Sequence, residues 1–161
     1  MFIPLALVWC ASPWLAYKFS QPLVIQQERL LPYEQNELRL WSRRIWAFFE
    51  EYVSPEENWL PPDNIQIDPP NGIAHRTSPT NIGLAMLANL SARDLGYISI
   101  AQVHQRVEGT MKTLEGLERW NGHFYNWYDT LSLKPLNPLY VSTVDSGNLV
   151  MYLLTLSTGL K

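Results

Sequence analysis

Cysteine is all but missing from this chain of 161 residues: Cys10 stands alone, so no internal disulfide can staple the fold. Histidine is nearly as scarce. His75, His104 and His123 lie far apart, and none has a second ligand at the short spacing of a zinc or iron site, so neither a metal nor any other cofactor is expected. Basic residues are outnumbered, 12 Lys and Arg against 15 Asp and Glu, and the resulting net charge of −3 leaves no electrostatic footprint for nucleic acid. A continuous apolar run of the ~20 residues that a membrane-spanning helix requires is missing too. Residues 1–17 come closest, but Pro4 and Pro13 interrupt them, and no basic residue precedes Lys18, which argues against a secretory signal. They are read as the end of a membrane segment or an interfacial anchor, with a simple buried start as the alternative. The chain has no internal repeat and no low-complexity tract.

Aromatic residues, by contrast, are plentiful: 7 Trp and 8 Tyr without basic charge favour neutral ligands such as glycans over polyanions. They crowd between Arg119 and Leu149, where Trp120, Phe124, Tyr125, Trp127 and Tyr128 lie among His123, Asn126 and Asp129. A sugar ring offers C–H groups to an aromatic face and hydroxyls to fixed polar partners, so this mixture suits a carbohydrate. The alternation at Phe124, Asn126, Tyr128 and at His123, Tyr125, Trp127 equally suits a β-hairpin laid on a hydrophobic layer, and composition alone does not separate the two readings.

Hydrophobic periodicity predicts four helices. From about Glu28 to Val53, Leu38, Trp41, Ile45, Phe48, Phe49 and Tyr52 form one helical stripe that Ser54-Pro55 ends. A proline-rich extended loop follows to Gly72. Ser78-Pro79 opens a second helix, which runs to Leu95 with Gly96 as its left-handed stop and has no wet face between Ile82 and Leu90. A third starts at Ser99 with a stripe of Ile100, Val103, Val107, Met111, Leu114 and Leu117, and places His104 in solvent. A fourth, capped by Asp145 or Ser146, runs through Leu149 to Leu156 and is apolar nearly all round. Alternating wet-faced and buried helices joined by long loops predict an all-α chain, the first four helices of a partial α/α toroid with a short β-hairpin at 122–134. Four helices cannot close such a ring; a small independent bundle is the alternative.

Four uncommon peptides add up: Glu56 to Asn64 (EENWLPPDN), Ala74 to Leu84 (AHRTSPTNIGL), Gly122 to Asp129 (GHFYNWYD) and Val144 to Leu149 (VDSGNL). In this order they resemble the cyclic β-1,2-glucan synthases, large bacterial inner-membrane enzymes, from about Leu38 to the end. The resemblance implies that residues 28–161 are the truncated N-terminal part of a glucoamylase-like toroid region assigned to transglycosylation and ring closure. Residues 1–22 are then a membrane-proximal apolar segment, with association through residues 1–17, on the cytoplasmic side of the inner membrane. The implied partners are β-1,2-glucan or a related oligosaccharide and the remainder of a synthase polypeptide. A non-catalytic sugar-binding or structural helical module is the other function class open.

Breaking a glycosidic bond generally uses two carboxyl groups. Asp145 and Asp129 are the catalytic candidates, with a helix cap and a hairpin-end hydrogen bond as their ordinary structural roles, and a partner carboxylate expected beyond Lys161. Trp59 and Trp127 are candidates for stacking on sugar. Asp63, His75, Arg76, Asn81, His123, Tyr125, Asn126 and Asn148 are candidates for polar or edge contacts, with turn, ion-pair or core roles as the alternatives. Loops 59–63, 75–81, 123–129 and 145–148 are expected to share one cleft.

Overall fold

The computed structural model describes residues 3–21 and 29–161. The helix start expected near Glu28 and the segment border expected at 22–28 lie outside the described residues. Contacts divide the chain into two units, Met1–Gln35 and Asn36–Lys161. In the first, α1 (Ile3–Ser20) carries Pro13 within it, and Trp9, Trp14, Tyr17 and Phe19 are exposed. Among the described residues, no helix is long and apolar enough to cross a membrane.

The predicted helices all form. α2 spans Pro32–Tyr52, α3 Pro79–Asp94, α4 Ile100–Gly116 and α5 Thr143–Gly159. Their ends follow the local chemistry. The Ser78 hydroxyl accepts the Asn81 N–H at 3.2 Å to start α3. At its far end Gly96 N–H reaches Arg93 O and Tyr97 N–H reaches Ala92 O, with Gly96 at φ +78°, the paired bonds of a Schellman stop. Ser99 and Gln102 form a reciprocal capping box at α4. The fourth predicted helix starts earlier than expected: Ser142 is the cap of α5, and Asp145 lies in the first turn.

α3 is the central helix, packed on α5 along most of its length and on α4. Ile82, Met86 and Leu90 of α3 meet Val103 and Leu114 of α4, Leu156 of α5, and Leu60, Leu117 and Tyr128 from the connections. The close approach of α3 and α5 needs Gly83, because a Cβ there would stand 2.3 Å from Tyr152 Cδ2. Their outward sides stay open: Leu84, Met151 and Leu154 are each about half exposed or more.

α2 turns inward a face that only partly matches the expected stripe, whose Phe48, Phe49 and Tyr52 are half-buried. Leu38, Trp41 and Ile45 are exposed, and Trp46, Phe49 and Val53 point in. Residues 45 and 46 differ by roughly 100° around a helix, so the two apolar faces are neighbours, and a contact outside α2 chooses between them. That contact is Arg106 of α4. Its guanidinium lies 5.2 Å from the Trp46 ring and 5.8 Å from the Trp59 ring, and it donates to Asn89 Oδ1 of α3 at 2.8 Å and to the Phe49 carbonyl. Burial lowers the Arg106 pKa, but a guanidinium remains charged.

Among the described residues, six two-residue strands tie the connections together. β1 (Ile65–Gln66) pairs with β2 (Gly72–Ile73), and β4 (Arg119–Trp120) with β5 (His123–Phe124). β3 (Arg76–Thr77) pairs antiparallel with β6 (Tyr128–Asp129), Arg76 opposite Asp129 and Thr77 opposite Tyr128. The single hairpin expected at 122–134 is therefore two structures. A tight one turns at Asn121-Gly122, φ +47° and +85°, as a two-residue turn with both φ positive requires. A wider one runs from Trp127 to Leu136, held by Asp129 N–H to Lys134 O and Leu136 N–H to Trp127 O, both 2.9 Å. Tyr128 is the hub. It is fully buried, lies edge-on to Phe124 and Tyr125, donates its hydroxyl to Glu118 O at 2.7 Å and accepts from Tyr125 N–H at 2.8 Å.

Two stability predictions follow from these contacts. Gly83→Ala forces α3 and α5 apart and is expected to cost about 1–3 kcal/mol in urea unfolding, with Leu160→Ala as a surface control. Burial pushes the Tyr128 hydroxyl up to about 12 from 10, so its folded-state pKa lies above its unfolded one. Its contribution is then complete below pH 10 and lost as pH rises towards 12. Tyr128→Phe should cost about 1–2 kcal/mol at neutral pH and flatten the alkaline fall in melting temperature; an unchanged alkaline limb would rule this out.

Candidate functional site

The β3–β6 pairing carries Arg76 to the aromatic stretch, and the starts of α3 and α5 meet beside it. Arg76 donates to Asp63 Oδ2 from Nε at 3.1 Å and from Nη2 at 2.8 Å, and its guanidinium lies 5.0 Å from the Trp127 ring. Asn81, in the first turn of α3, donates to the other oxygen of Asp63 at 3.3 Å. Asn148, in the second turn of α5, donates to the Thr80 hydroxyl at 3.1 Å.

Asn126 joins this group to Asp145. Only one orientation of its buried amide matches every neighbour: Oδ1 accepts from the Tyr140 hydroxyl at 2.7 Å and from Trp127 Nε1–H at 2.8 Å, while Nδ2 donates to Asp145 Oδ2 at 3.0 Å. Asp145 Oδ2 also receives the Ser142 hydroxyl at 2.6 Å. Burial, the largest single influence on Asp145, opposes its ionisation. Hydrogen bonds from Ser142, Thr80 and Ser78 and from the Thr80 backbone together outweigh it and hold the carboxyl below its ordinary value. Ser78 and Ser142 are the caps of α3 and α5, so this carboxylate sits between two helix N-termini, where the helix dipoles favour negative charge.

A second cluster adjoins across the β3–β6 pair. His75 Nδ1 lies 2.8 Å from Glu57 Oε1, and the Thr130 hydroxyl bonds the other oxygen of this buried Glu57. The contact is not an aligned hydrogen bond, and His75 Nδ1 is buried without another partner. Asp129 accepts from Ser132 N–H at 2.6 Å and Leu131 N–H at 3.1 Å, closing the wider hairpin. The Ser132 N–H is the main reason its pKa is lowered, with the Ser132 side chain, the Leu131 N–H and the charge of His75 adding to it against burial.

Asp63, Arg76, Asn81, Asn126, Trp127, Asp145 and, through Thr80, Asn148 thus form one connected group, with His75 and Asp129 alongside. Trp59 does not join it. Its indole lies flat enough on α4 that a Cβ on Gly109 would stand 2.4 Å from its Cδ1, and its carbonyl accepts the Thr110 hydroxyl. Asn58 and Trp59 both take positive φ, 53° and 59°, held by Asn58 Nδ2–H to Thr130 O and Thr113 Oγ1–H to Asn58 O, each 2.7 Å. His123 is exposed on the tight hairpin opposite Trp120. Tyr125 lines a separate cavity of about 480 Å³ with Trp120, Leu139, Tyr140 and Val141. Sequence reasoning missed Thr80 and Tyr140. It also missed Ser142 as the cap, although Ser142-Thr-Val-Asp145 carries the spacing at which a capping side chain and a first-turn acid meet.

This architecture, a central helix packed between two others with long connections gathered at helix starts, is a sector of a glucoamylase-like α/α fold. A crystal structure of a glucoamylase-like protein from Bacteroides fragilis NCTC 9343 matches it with TM-score 0.64 over 83% of this chain and 32% of its own, at 20% identity. In sequence the chain is a relative of the cyclic β-1,2-glucan synthases. It is 43% identical over 157 residues to the cyclic beta-(1,2)-glucan synthase NdvB of Rhizobium meliloti (strain 1021), a match covering 97% of this chain and 6% of that protein. The chain therefore spans a small part of the length of the relative it matches. No protein-family model matches it.

The charge of Asp145 has a measurable consequence. Because its folded pKa is depressed, it contributes stability that is present above its ordinary value of 3.8 and is lost as pH falls through the lower folded value. Asp145→Asn should lower the melting temperature at neutral pH and shrink the acid-induced fall between about pH 5 and pH 2. Equal acid limbs for the two proteins would place the charge elsewhere.

Proposed function

We propose that this chain is the glucan-binding sector of a glucoamylase-like region: it holds β-1,2-linked glucose chains, and in the complete polypeptide that region cuts and rejoins them to close rings. The observation that carries the reading is the meeting of Asp63, Arg76, Asn126, Trp127 and Asp145 at the starts of α3 and α5. These are fixed polar groups beside an aromatic face, which is what a polyhydroxylated ring requires. Asp145, held ionised, can accept a sugar hydroxyl, support positive charge at the reacting carbon or act as nucleophile, but it has no proton to give a leaving group. The proton donor in this reading comes from another part of the polypeptide, and the chain alone binds without turnover. Residues 1–17 lie in this reading at the cytoplasmic face of the inner membrane, with Trp9, Trp14 and Tyr17 as interfacial aromatics beside Lys18.

Two observations favour the second reading, a non-catalytic module. Asp129 spends its carboxylate on the 129–132 turn, and Asp145 spends its own on two helix starts.

The two readings separate experimentally. Linear β-1,2-glucan titrated into the 161-residue chain should bind, and Trp127→Ala should weaken binding about tenfold, since it removes a ring face worth roughly 1.4 kcal/mol. In a complete synthase carrying these residues, Asp145→Asn should lower kcat far more than it raises KM. Glucan binding with kcat unchanged in Asp145→Asn would leave Asp145 as a structural residue and favour the sugar-binding module, and no binding at all would end the glucan-binding reading and leave the structural helical module.

A further inference from the structure

We propose that the cavity bounded by Trp120, Tyr125 and Tyr140 is a stacking subsite for one pyranose ring, separate from Trp127, and that Asn126 fixes its position relative to Asp145. The inference rests on the glucan-binding reading and adds a place to it. The cavity has a volume of about 480 Å³, within the range of about 300–1,000 Å³ usual for small-molecule sites.

Its walls come from two connections. The Asn121-Gly122 turn folds β4 back on β5 and sets Trp120 at the mouth, where it stays 56% exposed. Tyr140 comes from the approach to α5, and its backbone carbonyl accepts Asn126 N–H at 2.9 Å. Leu139 and Val141 complete the apolar lining. A half-exposed Trp and a 45% exposed Tyr are left facing water although the core lies close by, and a large aromatic surface kept at a cavity mouth is suited to a ligand that is apolar on its ring faces and polar at its rim.

The rim chemistry points the same way. The Tyr140 hydroxyl donates to Asn126 Oδ1 at 2.7 Å, which leaves its oxygen lone pairs to accept from a sugar hydroxyl. The same Asn126 oxygen receives Trp127 Nε1–H, and the Asn126 nitrogen donates to Asp145. One buried amide thus sets the cavity wall, the Trp127 ring and the carboxylate at fixed separations. A linear glucan with one ring in the cavity presents its next residues towards Asp145, whereas a single glucose meets only the cavity. Asn126 is a positioning residue in this arrangement.

The test uses the 161-residue chain, with linear β-1,2-linked glucose oligomers of two and of six residues as probes. Binding is followed by calorimetry and by tryptophan fluorescence. Trp120→Ala should weaken binding of both oligomers about tenfold, the loss of one stacking face, while Trp120→Phe recovers most of it. Tyr140→Phe should weaken binding less than Trp120→Ala, since the ring stays. Asn126→Leu should reduce binding of the six-residue oligomer more than that of the two-residue one, which a merely structural role would not distinguish. Circular dichroism checks that each variant keeps its helices, and the exposed position of Trp120 makes Trp120→Ala the variant least exposed to misfolding. If the unaltered chain binds and Arg76→Ala abolishes binding while Trp120→Ala leaves it intact, the subsite is overturned and the glucan reading stands. If the unaltered chain binds neither oligomer, the glucan reading fails and the subsite with it.

Discussion

The short β3–β6 pairing is the constraint on which the rest of the site depends. It contributes few backbone hydrogen bonds, yet it crosses from the loop before α3 to the aromatic stretch before α5, two segments far apart in the chain. Each connection has its own reason to lie where it does. Pro61 and Pro62 are buried under the helices, and Tyr128 is sunk in the core with both ends of its hydroxyl bonded. With these anchors set, the register of Arg76 against Asp129 and Thr77 against Tyr128 decides what meets what: Arg76 reaches back to Asp63 and across to Trp127, and His75 reaches Glu57. A slip of one residue would turn these side chains to the opposite face.

Beside that pairing, the helices contribute charge rather than shape. α3 and α5 lie close because Gly83 admits Tyr152, and their N-termini therefore open on the same space. Backbone N–H groups without helical partners need acceptors there. Ser78 and Ser142 supply one each, and Asp145 answers several donors at once. The same arrangement that secures two helix starts fixes a carboxylate in its charged form beside Asn126 and Trp127. Structural and chemical service are not alternatives for this residue, since the helix ends that need it are also what keep it ionised.

Much of this was legible in sequence, and the parts that were not fail for identifiable reasons. Helix starts and stops at Ser78-Pro79, Gly96 and Ser99 depend on chemistry within a few residues, so they read correctly. The all-α sector and the kinship with cyclic β-1,2-glucan synthases were carried by long periodic stripes and four uncommon peptides. The one hairpin expected at 122–134 is two, because the Asn121-Gly122 turn closes a separate pair before it, and the cap expected at Asp145 or Ser146 is Ser142, which precedes Asp145 at the matching spacing. Trp59 illustrates the limit of residue type as evidence. An indole flat on Gly109 of α4 and one beside Arg76 have the same composition, and only the long-range contacts tell them apart. Tyr140 was invisible for the same reason, its meaning lying in a bond to Asn126.

Arg106 shows how a single cation can settle a choice that hydrophobicity leaves open. α2 carries two adjacent apolar faces, and burying either would remove comparable surface from water, so greasiness alone gives the helix two near-equivalent ways to dock. The guanidinium accepts only one of them. Its plane must meet the rings of Trp46 and Trp59 while its N–H groups find Asn89 and the Phe49 carbonyl, and rotating α2 by one residue would leave a charge buried without its acceptors. The exposed face with Leu38, Trp41 and Ile45 is what this selection leaves over. The rotational setting of α2 is thus written in α4, and a lysine at 106 would keep the charge while erasing the instruction.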